Sequence, residues 1–423
     1  MTRYQEDGWM LSEQPRAFAV SNPEAAFAVV IVVAGDSDLA NQVGKDLEEM
    51  RDGACVEVSV LLLVDLPGDQ GLVAAEITSE GLSVVASWPE RSTGDPQLLA
   101  EFWARSLASY SSKTRLALGF WGHGQGAFGD GDTREVLLPE ALLKKPLEER
   151  ARRSRSSRDD DDFSSAGMLP DLSDVDGVLT NREARSAFGA AFVRVGRSEP
   201  VDLIFSDTCL NGSIEVFAEL RDFARVIVAS SLPIPAKGWD YKLWLSATAK
   251  ERPADAEGWA RLAVEAFELA HPQLGEGFPL AQLAAFSTER GDLVKAFAGV
   301  VKALREATET RRLLVGLAVS KVQAVHYREN LDLEQLVLRL LELAEEGSSL
   351  KAACRKFGEV FRETSVALSA APEGGEELSG LTIWCPVKGD LEKVSEYYPR
   401  LTFERKTKWL RLLTELERDK ASI

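Results

Sequence analysis

Two side chains in this sequence pair nucleophile and base chemistry with suggestive flanks. His123 lies in the segment Gly122-His123-Gly124-Gln125-Gly126, and Cys209 in Ser206-Asp207-Thr208-Cys209. An ionised thiol is a strong nucleophile, and imidazole is the base that titrates nearest neutrality. Together they suit acyl transfer through a covalent intermediate. Glycines around the histidine permit close backbone approach and unusual φ angles, which makes the Gly124 amide a natural donor to an oxyanion. A helix expected to begin near Asn211 would put Cys209 at its mouth, where the dipole lowers a thiol pKa. His271 and His326 lie at no strand end and lack glycine flanks. Cys55, Cys354 and Cys385 form no CxxC pair, so neither a disulfide framework nor a zinc site is expected. Bland readings compete with the sharp one. A buried cysteine is ordinarily a small core residue, and a strand-end histidine ordinarily a hydrogen-bonded structural group. A glycine-rich loop also invites a nucleotide reading, but no Walker lysine follows this one.

Strands ending just before each residue would have to position them. Phe27–Ala34 is continuously apolar and β-branched, which suits a strand buried on both faces. Cys55–Val64, Arg115–Trp121, Val201–Ser206 and Ala224–Ser230 read the same way. Helices are expected from Asp38 to Met50, from Gly94 through Tyr110, and from Asn211 through Leu220, with a small hairpin around Gly81 between Ile77 and Trp88. Strands alternating with single helices imply right-handed crossovers and a mainly parallel α/β sheet flanked by helices. Ligands of such sheets bind where the strand carboxyl ends converge. His123 follows the Arg115–Trp121 strand by two residues, and Cys209 follows Ser206 by three. If these strands are neighbours, or one strand apart, thiol and imidazole open onto the same sheet edge.

Residues 1–24 are expected to form a tail and 25–250 a core, with 142–176 an inserted linker. There a basic block runs straight into Asp159–Asp162, and such runs are usually solvated. Residues 251–423 read as a helical C-terminal region, with helices at Trp259–Leu269, Leu280–Phe286, Leu293–Ala307, Leu313–Tyr327 and Leu333–Glu345. The strand-like Leu381–Val387 precedes a terminal helix, and at least one strand is expected to return to the sheet. The 423 residues carry 49 basic and 67 acidic side chains, a net charge of −18, which disfavours general binding to nucleic acid or anionic membranes. The longest apolar run, Ala25–Gly35, is about half the roughly 20 residues a membrane-spanning helix needs. The N-terminus lacks the basic start and apolar run of a signal peptide, so the expected location is the cytoplasm.

LALGFWGHGQGAFGD followed by VDLIFSDTCLNGSIEVFAEL closely resembles the clostripain family of cysteine peptidases, which share the caspase–gingipain fold. VVIVVAGDSDLANQVGKDLEEM resembles the family's opening strand and D-x-D-L helix start, DGVLTNREARSAFGAAF its L-T-x-x-E helix, and VASSLPIPAKGWDY its strand and GWxY turn. SGLTIWCPV and YPRLTFERKTKWLRLL resemble its closing strand and terminal helix. The likeness runs from about residue 25 to 415 in the family's order. It implies Cys209 as nucleophile, His123 as base, and the amides of Gly124 and Cys209 as oxyanion donors. Asp207, otherwise readable as a helix cap, would help form a primary pocket selective for Arg or Lys, with Arg preferred. Trp121-Gly122 and Ser231-Leu232-Pro233 stand where the family often has acidic residues, and Asn211 where it usually has Met.

The resemblance implies an endopeptidase working through a dyad, with no third member evident and no metal required. Some relatives depend on calcium, and Asp159–Asp162 could bind it weakly. Because clostripain-like enzymes are cut between histidine and cysteine, Lys144, Lys145, Arg150, Arg152, Arg153, Arg155 and Arg158 are expected processing sites of a zymogen. The cut would be made in cis or by an upstream activating protease. The expected partners are protein substrates with a basic residue at the scissile position, and an intracellular cascade in stress or anti-phage defence is one setting. Two other readings stay open: a catalytically silent caspase-fold scaffold that binds partners through the helical C-terminal region, and a different Cys-dependent acyltransferase.

Overall fold

Apolar side chains alternate along Phe27–Ala34 (β1) between two cores, one on each face of a central sheet. Ala28, Val30, Val32 and Ala34 enter one core, and Phe27, Val29, Ile31 and Val33 the other. This follows from the period of two in a strand, and it explains why the segment is apolar throughout. The computed structural model describes residues 15–65, 71–89, 91–124, 126–127, 178–271, 281–307, 310–322, 325, 330–369, 378–385, 391 and 397–421. The 142–176 linker, with its seven basic residues and Asp159–Asp162, lies outside them, as do Gln125 and His326.

The central sheet has nine strands. β1 is flanked by Val58–Asp65 (β2) and Arg115–Trp121 (β5), and β5 is followed by Val201–Asp207 (β6) and Ala224–Ser230 (β7), all parallel. Beyond β2 lies an antiparallel hairpin, Val73–Thr78 (β3) and Gly81–Ser87 (β4). Its turn falls at Gly81, as expected, and its first strand begins earlier than the sequence suggested. Helices Ala40–Gly53 (α1), Tyr241–Glu251 and Ala256–Ala270 cover one face, burying Trp244 and Trp259. Pro96–Ser109 and Asn181–Arg194 cover the other, where Trp103 stacks on Phe188 at 5.3 Å between ring centroids. Thr180 and Glu183 close a capping box at the start of the second of these helices.

The mainly parallel α/β sheet flanked by helices is thus present, and the C-terminal region does return strands to it. Their identity differs from expectation. Leu280–Phe286, expected as helix, contributes the strand Leu283–Ser287 (β8), antiparallel to β7. A short apolar run buried on both faces carries no periodicity that tells helix from strand. Ser365–Leu368 (β10), which follows the unforeseen helix Ser349–Thr364, forms the edge strand beside β8. Within the expected closing strand, Thr382–Trp384 (β11) pairs with Asn330–Asp332 (β9) in a separate two-stranded ribbon. Where a helix was expected over Leu313–Tyr327, the described helix is Arg311–Val319. Among the described residues no helix is long and apolar enough to cross a membrane.

Gly119 in β5 faces Phe205 in β6 across the ladder, and the Phe205 ring fills the space a Cβ at 119 would need. Gly119→Ala therefore forces either the ring or the strand to move. We predict a loss of about 1–3 kcal/mol, the usual range for overpacking a dense core, read as a lower denaturant midpoint at unchanged m-value.

Candidate active site

The β5–β6 ladder sets the geometry. Trp121 is the register partner of Asp207, and the Gly122 amide donates to the Asp207 carbonyl at 3.2 Å, extending the pairing by one step. His123 and Cys209 each stand two residues beyond that matched pair. The loops they occupy touch. A Cβ on Gly124 would lie 2.5 Å from the Cys209 carbonyl and from Thr208 Oγ1, so only glycine permits this approach. Gly126, at φ +60°, passes equally close to the Leu210 carbonyl. Asn211 rivets the two loops. Its Oδ1 accepts from the Gly126 amide at 3.2 Å, and its Nδ2 donates to Thr208 Oγ1 at 2.6 Å and Ser206 Oγ at 2.9 Å. Asn181 adds a bond from Nδ2 to the Gly126 carbonyl at 3.0 Å.

The Ile234 amide donates to Cys209 Sγ at 3.2 Å. Burial pushes this thiol up from its ordinary range; the Ile234 bond opposes that rise and the Asp207 carboxyl adds to it. The expected dipole effect has a different geometry here. The helix after Cys209, Ile214–Leu220 (α2), begins five residues past it and is capped by Ser213, so Cys209 does not sit at its first turn. The sequence suggested an earlier start because residues 209–213 are short and polar enough to open a helix, whereas the chain passes through Leu210 at φ 62° instead. The Gly124 amide has no acceptor among the described residues, as an oxyanion donor requires, and the Cys209 backbone hydrogen-bonds to its own thiol.

On the other side of the site, His123 Nε2 lies 2.5 Å from Asp38 Oδ1. Asp38 belongs to the turn after β1, the strand adjoining β5. It was absent from the expected site set, which named no third member. The available signal was its place at a strand carboxyl end, next in the sheet to the histidine strand.

Asp207 is buried at the end of β6. Its Oδ2 accepts from the Trp239 amide at 3.2 Å and the Tyr241 hydroxyl at 3.0 Å. Desolvation raises its carboxyl to about 7. A second acid lies close by: Asp46 of α1, whose Oδ2 accepts from Trp121 Nε1 at 2.6 Å. Burial, reinforced by Asp207, raises Asp46 to about 8. No ion pair reaches either carboxyl among the described residues. Asp46 was readable only as an acid on the buried stripe Val43, Asp46, Met50 of an amphipathic helix. Two further buried acids sit on α2. Glu215 Oε1 accepts from the Trp384 amide and the Tyr398 hydroxyl, and Glu219 accepts from Thr402, so C-terminal segments hold the helix that follows Cys209.

The model of the clostripain family matches residues 158–336, a span that includes Asp207 and Cys209 and begins beyond His123. No curated protein matches the chain. Among solved structures, a secreted C11 cysteine protease from Bacteroides thetaiotaomicron, in complex with an irreversible peptide inhibitor, aligns with TM-score 0.63 at 14% identity, over 91% of this chain and 99% of that one. An inactive zymogen C11 protease from Parabacteroides distasonis aligns with TM-score 0.62 at 16% identity, over 92% and 99%. At these identities the structural likeness is one of fold.

Asp46 and Asp207 give the folded protein a definite pH response. Their folded-state values lie above those of an unfolded chain, near 3.9, so between about pH 4 and 8 the folded state retains protons that the unfolded state has lost. Their contribution to stability falls as pH rises through that window. Asp46→Asn keeps an acceptor for Trp121 and removes the titration. Its melting temperature should equal the wild type's near pH 4 and exceed it by several degrees at pH 8.

Proposed function

We propose that this clostripain-family cysteine peptidase uses Cys209 as nucleophile and His123 as general base and acid. The observation that carries the reading is the β5–β6 register, which brings both residues to the same offset beyond the matched pair Trp121 and Asp207. The Cys209 S–H proton passes to the imidazole as sulfur attacks the scissile carbonyl, and the carbonyl oxygen becomes an oxyanion facing the Gly124 and Cys209 amides. The imidazolium then protonates the leaving amine, the C–N bond breaks, and a thioester remains. Water, deprotonated by the same imidazole, attacks the thioester. The C–S bond breaks and the thiol is regenerated.

The substrate class in this proposal is a protein chain with Arg, or less readily Lys, at the scissile position. Asp207 supports it as a carboxyl with no internal cation, whose hydrogen bonds from Trp239 and Tyr241 both go to one oxygen. A guanidinium offers a carboxylate a bidentate, charge-assisted match. Activation is proposed to require cleavage among Lys144, Lys145, Arg150, Arg152, Arg153, Arg155 and Arg158, the basic stretch that lies in the sequence between His123 and Cys209. Replacing all seven with Ala should leave the chain uncut and inactive until an inserted foreign protease site is cleaved; full activity in the uncut variant would reduce the segment to a linker.

The dyad and the pocket are tested together by assaying Arg-amide and Leu-amide peptides. Cys209→Ala and His123→Ala should each lower turnover by on the order of a thousandfold or more on both substrates, with an unchanged melting curve. Asp207→Asn should lose Arg-amide hydrolysis selectively, by an amount equivalent to roughly 2–5 kcal/mol, and spare Leu-amide. Near-wild-type turnover in folded Cys209→Ala would overturn the assignment. An unchanged Arg-to-Leu ratio in Asp207→Asn would put the pocket elsewhere.

A further inference from the structure

Asp38 makes a long-range contact with the histidine that the closure of its own turn does not need. The turn after β1 is closed by Ser37, whose Oγ accepts from the Leu39 amide at 3.2 Å and donates to the Ala34 carbonyl at 3.3 Å. Helix α1 begins with Leu39 at its N-cap position and no side-chain cap there. The Asp38 carboxylate also meets the Asp38 and Leu39 backbone, but its foremost bond is to His123 Nε2 at 2.5 Å. Its side chain is about half exposed (48%), while that of His123 is 20% exposed. The contact joins a solvated acid to a more sheltered ring, and β1 directly adjoins the histidine strand in the sheet.

We propose that Asp38 is a positioning residue that turns the Cys209–His123 dyad into a working triad by fixing the orientation and tautomer of the imidazole. The hydrogen bond to His123, foremost, holds the Asp38 carboxyl below the ordinary aspartate range, so it is an anion at neutral pH. An anionic carboxylate accepts and cannot donate. Nε2 therefore carries the proton, and Nδ1, which has no partner among the described residues, is the bare nitrogen. Nδ1 then takes the thiol proton and later delivers it to the leaving amine. Once the ring is doubly protonated, the same carboxylate faces its positive charge. This rests on the peptidase reading for its consequence in turnover. The tautomer itself is a property of the resting protein.

The test has two independent arms. The chain has only three histidines, so ¹⁵N spectra compared with His123→Ala assign the His123 ring. Wild type should show the neutral ring protonated at Nε2, and Asp38→Ala should show a mixture of tautomers. In the kinetic arm, Asp38→Ala and Asp38→Asn should lower kcat on an Arg-amide roughly 10- to 100-fold, a part of the roughly 10²–10⁴ that general acid–base catalysis supplies. KM should stay within roughly twofold and melting temperature should not change. A merely structural role would move melting temperature or KM and leave the tautomer alone. The proposal is overturned by an Nε2–H ring in Asp38→Ala, or by wild-type kcat in both variants. Should wild type hydrolyse no peptide, the peptidase reading fails while the tautomer arm still decides the role of Asp38.

Discussion

The site depends on how two buried parallel strands find their register. β5 and β6 are apolar on both faces, so the in–out alternation that fixes register in a half-exposed strand is missing here. Register must come from shape. Gly119 opposite Phe205 supplies one lock, since the ring fits only over the residue that lacks a side chain. Beyond the strand ends, the Asn211 and Asn181 bonds to Gly126 supply another. A slip by one residue would place His123 beside a neighbour of Cys209 and break both locks together. Core packing on the scale of one ring thus sets the offset on which acyl transfer would turn.

Buried acids surround that geometry, and they fall into two groups with different logic. Glu215 and Glu219 meet backbone amides and hydroxyls from Trp384, Tyr398 and Thr402, which ties the helix after Cys209 to C-terminal segments. Held in this way they act as cross-links, with Glu215 Oε2 left without a partner among the described residues, and removing a partner would strand a further buried polar group. Asp46 and Asp207 are less well compensated. Each is desolvated, Asp207 raises the cost of ionising Asp46, Glu49 raises that of Asp207, and no ion pair reaches either among the described residues. On the proposed reading of Asp207 as the group that meets a substrate cation, an internal salt bridge would compete with that ligand.

Much of this was legible in the sequence because it follows from local pattern. The five parallel strands appear as apolar runs with turn residues after them, and β5 and β7 have the bounds that pattern suggests. His123 and Cys209 stood out through their flanks and place at strand ends, and Asp207 through the family resemblance. What stayed hidden depends on contacts between distant segments. Leu283–Ser287 looks helical until β7 lies beside it, and Thr382–Trp384 looks like a sheet strand until Asn330–Asp332 takes it. Asp38 and Asp46 reach His123 and Trp121 from another strand's turn and another helix, and no spacing rule along the chain foretells those meetings.

The thiol's surroundings show why the histidine must do more than accept a proton. Without a helix terminus at Cys209, the field that would favour a thiolate is weaker than the loop sequence suggests, and burial works against ionisation. The Cys209 backbone offsets this in part, and so does the Ile234 amide. It lies between Pro233 and Pro235, and a residue before proline is held to extended backbone, so the amide is presented by a stiff segment. That segment is anchored at both ends: the Leu210 amide donates to the Leu232 carbonyl, and the Trp239 amide to Asp207. Neutral amides alone do not balance a buried sulfur anion. On the proposed reading the remaining stabilisation would come from an imidazolium held at a fixed distance and angle, which a ring free to rotate would not provide. A buried thiol without a helix dipole therefore places the burden of activation on whatever holds His123.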